Sequence, residues 1–315
     1  MARAHRPPLA VVTGASAGIG RAAVRAFAAA GYDLGLIARG RDGLRAAADE
    51  VARAGGRASV HALDVGDAEA VEAAAAAIES ELGPIDVWVN DAMVTVVAPV
   101  KALEPEEVRR VTETTYLGAV HGTMAALKRM LPRDRGTIVQ VGSALAYRSI
   151  PLQAPYCGAK AAIRGFTDSL RSELMHDRTG VRVTMVHMPA VNTPQFDWCR
   201  THMHRRPQPV PPIYAPEVAA AAIVWAARHA PRELNVGGST LRAVWANKLV
   251  PGLLDRYLAY RGYESQQTDE PVQADRRDNL FGPLPGDYGA EGRFVSRSRR
   301  SSGELWLRTH APAIA

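Results

Sequence analysis

Cysteine and lysine are scarce in this 315-residue sequence, and no apolar run is long. Two cysteines, Cys157 and Cys199, are too few for a disulfide framework, which predicts free thiols and a reducing, cytoplasmic address. No stretch approaches the roughly 20 apolar residues that span a bilayer, so an integral membrane segment is not expected. The apolar part of the basic start MARAHRPPLAVV is interrupted at Thr13 and Gly14, too soon for a signal-peptide core. Only Lys101, Lys128, Lys160 and Lys248 are lysines among 38 basic residues, set against 32 acids. The resulting charge of +6 is spread along the chain, so no nucleic-acid partner is expected. Residues 264–315 are near neutral, which leaves the positive excess in the first 263 residues, where a phosphate-bearing ligand would account for it.

A hydrophobic content of 47% with 22% charged residues suits a globular chain with a sizeable core. Short β-rich runs at 9–13, 33–38, 57–62, 86–90, 136–142, 181–187 and 232–237 alternate with helical patterns at 18–30, 42–54, 67–81, 104–131, 155–178 and 215–229. This alternation predicts an α/β fold, a Rossmann-type doubly wound parallel sheet of about seven strands flanked by helices. Ligands on such sheets lie beyond the C-terminal strand ends. Residues 1–263 read as one domain that includes a Pro-, Arg- and His-rich loop at 189–214, suited to a mobile substrate loop. Residues 264–315 read as a polar extension, partly docked or disordered, with Asn279–Pro285 and Trp306 as docking points. The amphipathic stretch 241–260 predicts helix packing or a subunit contact.

After the first strand comes TGASAGIG, residues 13–20, then a helix-forming run. Glycines permit a tight turn and close backbone approach to a pyrophosphate, while the helix N-terminus offers unpaired N–H groups. The second strand ends at Ala38-Arg39, where an NAD-preferring fold usually carries an acid; Arg39 suits a 2′-phosphate. Tyr156 and Lys160, four residues apart on a predicted helix, share one face, so the ammonium could favour the phenolate. Ser143 ends the fifth strand, where its hydroxyl could bind a substrate oxygen. Cys199, His202 and His204 are close in sequence but lack a fourth ligand and stand among arginines, which argues against a metal.

The spacing of Gly14, Gly18 and Gly20, with Ser143, Tyr156 and Lys160, resembles that of the short-chain dehydrogenase/reductase family over residues of about 9–240. The resemblance implies an NADP(H)-dependent oxidoreductase that interconverts an alcohol and a carbonyl, with Tyr156 moving the proton, Ser143 and Lys160 assisting, and a C-terminal extension beyond the family core. It implies cofactor contacts from Gly14, Ser16, Gly18, Ile19, Gly20, Arg39, Asp64, Val65, Asn90, Tyr156, Lys160, Pro189 and Thr193. It also implies a homodimer or homotetramer built on the helices at 104–131 and 155–178. Two departures stand out: NNAG becomes Asn90-Asp91-Ala92-Met93, and the helix Asn of the proton relay becomes Thr115. Tyr147, Leu145, Gln153 and Trp198 are candidate substrate walls by position. The departures and the long tail also fit a second reading, a non-catalytic nucleotide-sensing or partner-binding protein.

Overall fold

The computed structural model describes residues 6–310. Seven parallel strands form its central sheet: β1 Leu9–Thr13, β2 Asp33–Ala38, β3 Ala58–Ala62, β4 Val87–Asn90, β5 Gly136–Ser143, β6 Val181–Met188 and β7 Glu233–Asn235. Their spatial order is β7-β6-β5-β4-β1-β2-β3. The order reverses between β1 and β4, where Thr13 and Asn90 are register partners, so a crevice opens at those two strand ends.

Strand chemistry explains why both faces are covered. Along β1, Ala10 and Val12 pack into one core, while Leu9 and Val11 pack into the other. A strand apolar on both sides must be sandwiched by helices. On the first face lie α1 (Gly18–Ala29), α2 (Arg41–Arg53) and, just before β7, the helix Pro216–His229. The opposite face receives α3 (Ala68–Leu82), the helix Gly118–Met130 and the long helix Ala154–His176, around a fully buried Trp88. Arg21 is only 1% exposed on α1; its guanidinium holds Glu50 at 2.7 Å and the Gly43 carbonyl at 2.6 Å.

The helix expected over 104–131 is not continuous. Pro105–Val111 leads into a π-helical turn at Thr112–Leu117, and α-helix resumes at Gly118. Thr112, Thr114 and Thr115 are β-branched and weak helix formers, and Thr115 is drawn aside to bond the Val94 backbone. The stretch 241–260 likewise forms two helices, Gly238–Leu249 and Pro251–Arg261, divided where Pro251 interrupts the pattern.

The loop 189–214 and the tail hold each other. Arg205–Pro207 pairs antiparallel with Gln267–Pro271. Ile213–Tyr214 lies between Ala190–Val191 and Ser298–Arg299. Arg200–Thr201 pairs with Val96–Val97, and the buried Glu107 binds Arg200 and His202. The sequence makes this loop look irregular because, Ala190–Val191 apart, its partners are more than 50 residues away.

Candidate active site

The glycine turn after β1 has little freedom to be anything else. Gly14 adopts φ +76°, and a Cβ there would lie 3.0 Å from the Ala92 backbone, so the two strand-end turns meet nearly backbone to backbone. Thr13 Oγ1 fastens them by accepting from the amides of Asp91 at 3.0 Å and Ala92 at 3.2 Å. Gly18, with φ +60°, brings the start of α1 against the Thr193 side chain. Gly14, Ser16, Gly18, Ile19, Arg39, Asp64, Val65, Asp91 and Thr193 all line one cleft. Thr114 lines it too, and its buried hydroxyl has no partner.

At one end of this cleft Arg39 stands beside Arg110, which nothing in the sequence singles out. Arg110 pairs with Asp64, and the Gly66 amide also donates to Asp64 at 3.0 Å. Burial opposes ionisation of Asp64, but Arg110 and that amide hold its carboxyl below the usual value. Both guanidinium groups also reach the tail: Arg39 donates to the carbonyls of Asn279 and Leu280, and Arg110 to Leu280 at 3.0 Å.

Next to Asp91 of the cleft wall, β5 delivers Ser143 and the long helix delivers Tyr156 and Lys160. Ser143 Oγ accepts from the Leu145 amide at 3.1 Å and hydrogen-bonds the Tyr156 phenol. Lys160 is 3% exposed; its ammonium donates to the Val141 carbonyl at 2.6 Å and lies 5.7 Å from the centre of the Tyr156 ring. Burial lowers the Lys160 ammonium to about 8, with Asp91 opposing. Burial raises Asp91 to about 7 against the pull of Lys160 and the Gly20 amide. Tyr156 is pushed above the ordinary phenol value by burial, with Ser143 opposing. Burial of the phenol outweighs the nearby charges at Tyr156, while the Lys160 ammonium donates to Val141.

Several expected contacts fall elsewhere. Asn90 turns inward: its amide donates to Ala119, Thr123 and Gln140, and its oxygen accepts from Trp88 at 2.8 Å. No side-chain group of Asn90 is left for a cofactor; it ties β4 to β5 and to the helix Gly118–Met130. The fully buried Thr115 hydroxyl both donates to and accepts from the Val94 backbone, so its only donor is spent and a single lone pair is left for a relay water. Pro189 ends β6 without lining the cleft, whereas Thr193 four residues on does line it. Tyr147 bonds Glu233 beside His187, and Gln153 is buried against Gln266, so neither forms a free substrate wall. Trp198 does face the cleft, edge-on to Tyr288 of the tail. Among the described residues no His, Cys, Asp and Glu group with metal-binding geometry occurs, and His202 pairs with Glu107.

A glycine turn at the switch point of a parallel sheet, with Ser, Tyr and Lys at the neighbouring strand end and helix, defines a nucleotide-binding oxidoreductase of Rossmann architecture. The short chain dehydrogenase family matches residues 8–203, and the chain belongs to that family. The uncharacterized oxidoreductase YxnA of Bacillus subtilis (strain 168) is 33% identical over 273 residues, covering 86% of this chain and 77% of the relative. A short-chain dehydrogenase from Streptomyces avermitilis superposes with TM-score 0.67 at 28% identity, over 82% of this chain and 96% of that one. An alcohol dehydrogenase from the archaeon Thermococcus sibiricus, complexed with 5-hydroxy-NADP, superposes with TM-score 0.64 at 28% identity, over 73% and 96%.

Proposed function

We propose that this oxidoreductase uses NADP(H) to interconvert an alcohol and a carbonyl on a small molecule. The observation that carries the reading is the grouping of Ser143, Tyr156 and Lys160 beside Asp91, which lines a cleft whose other end bears Arg39. The cleft fits a dinucleotide: glycine positions leave room where side chains would collide, and an unpartnered Thr114 hydroxyl faces it. NADP(H), when bound, supplies or accepts the hydride. Ile19 at the start of α1 is placed to meet the pyrophosphate, Thr193 the nicotinamide end, and Arg39 with Arg110 the 2′-phosphate.

In the reducing direction, Ser143 donates a hydrogen bond to the carbonyl oxygen, and the Tyr156 phenol gives that oxygen its proton as carbon gains hydride. A phenol held above its ordinary pKa is fully protonated at neutral pH, which suits a proton donor. Lys160 keeps positive charge beside the phenolate left behind. Tyr156→Phe should lower turnover with NADPH and a carbonyl substrate by about 10²–10⁴-fold while leaving NADPH affinity within a few-fold. Unchanged turnover would reject the assignment.

Two buried, unpaired cysteines fit a reducing, cytoplasmic setting. No helix of the described residues is long and apolar enough to cross a membrane. Exposed Leu117, Met124 and Met175 on the helices at 112–130 and 154–176 fit association of copies into a dimer or tetramer.

A further inference from the structure

The tail follows the cleft from end to end. At the arginine corner, the carbonyls of Asn279 and Leu280 accept from Arg39, and Leu280 also accepts from Arg110. The Leu280 side chain anchors this contact, fully buried among Val94, Val96, Val111 and Ala159. Pro283, Leu284, Gly286 and Tyr288 then line the cleft opposite the glycine turn. Above the start of α1, Gly289 O accepts from the Gly18 amide at 3.0 Å, Asp287 lies 3.4 Å from Arg21, and the Gly286 amide donates to Asp42 at 2.9 Å. At the far end the Gly292 amide donates to Asn192 O at 3.2 Å, and a Cβ on Gly292 would fall 2.4 Å from Thr193 O. Phe294 N closes the run on Asn192 Oδ1 at 2.9 Å.

We infer that residues 279–292 form the outer half of the dinucleotide site, a strap that clasps an anionic, phosphate-bearing cofactor against the glycine turn; this rests on the cofactor reading above. The strap's backbone carbonyls take two of the five N–H groups of Arg39, one of Arg110 and the Gly18 amide, leaving the remaining guanidinium N–H groups for phosphate oxygens. It therefore holds these donors in position while offering apolar and aromatic surface, Pro283, Leu284 and Tyr288, to the cofactor. Entry and exit of a ligand covered on both sides require the strap to lift, so its grip sets the dissociation rate. Substrate and cofactor ends are also joined, because the strap touches Thr193 and sets Tyr288 edge-on to Trp198.

The test is NADPH binding by fluorescence titration and stopped-flow displacement on the full chain. Gly289→Val forces a side chain onto a residue at φ +62° with open space around it, so it perturbs the strap without a clash. Gly292→Val pushes the strap off Thr193. Both should weaken NADPH binding and speed its release by roughly tenfold, the loss of one or two hydrogen bonds, with the melting temperature of the nucleotide-free protein little changed. In the wild type, saturating NADPH should slow tryptic cleavage at the exposed Arg277. Wild-type affinity and release in both variants, with cleavage indifferent to NADPH, would overturn the strap alone. Failure of the wild type to bind either NADPH or NADH would overturn the cofactor reading, and the strap with it.

Discussion

Asp91 lies near Lys160 at the cleft wall; burial shifts both groups toward their neutral forms, and the charge of each partly offsets the shift of the other. The family pattern has Asn at this position, so a carboxyl near the lysine is a departure from that pattern. It places an anion next to the ammonium that backs Tyr156.

Stability should record that anion. Folded Asp91 keeps its proton up to about 7, whereas an unfolded Asp releases it near 4. Between those values the folded state binds more protons, so this group's contribution to stability falls as pH rises. Asp91→Asn removes that slope, and its melting temperature relative to wild type should be higher at pH 7.5 than at pH 5. Lys160 also loses Coulombic support, so the alkaline limb of its kcat profile should move to lower pH. Equal melting differences at both pH values would contradict the placement.

Thr115 offers a separate check on the proton path. Its hydroxyl closes two hydrogen bonds with Val94, so Thr115→Val should cost about 1–3 kcal/mol in denaturant unfolding by stranding a buried amide and carbonyl. The kcat profile against pH should keep its shape. A profile that loses one limb would restore Thr115 to the relay.

Glu50 tests the support behind the glycine turn. Burial opposes its ionisation, yet Arg25 and Arg21 hold its carboxyl down at about 2. A depressed carboxyl contributes stability above its unfolded value near 4.3, and that contribution is lost as pH falls toward 2. Glu50→Gln leaves Arg21 buried without its counter-charge and should cost roughly 3 kcal/mol at pH 7, with the deficit shrinking as pH drops to 3. A deficit independent of pH would mean that packing, not charge, is lost.

The sequence was most readable where local rules and tertiary demands coincide. All seven strands lie within two residues of the predicted limits, because apolar runs bounded by glycine and helix signals leave few alternatives. Gly14, Ser143, Tyr156 and Lys160 stand out in the sequence because each lies just after a strand, at a strand end or within the first two helical turns, where spacing fixes position. The inward turn of Asn90 was hidden, since it depends on Trp88, Thr123 and Gln140 arriving from three elements. Arg110 was hidden for a similar reason: it looks like one more surface arginine until Asp64 and Leu280 meet it. The tail read as polar and irregular because its backbone bonds go to the glycine turn, Arg39 and the loop 189–214 rather than to itself.

The strap also orders the birth of the protein. Arg39 and Leu280 are 241 residues apart, and Arg21 and Asp287 are 266 apart, so these contacts carry the largest loop-closure cost in the chain. Synthesis runs from the N-terminus, and every strand of the sheet is complete by Asn235. A nascent chain therefore owns its whole sheet, Ser143, Tyr156 and Lys160 before the outer wall of its cofactor cleft exists. A chain cut after residue 263 would keep the look of a finished dehydrogenase core while Arg39 and Arg110 lost the carbonyls that aim them.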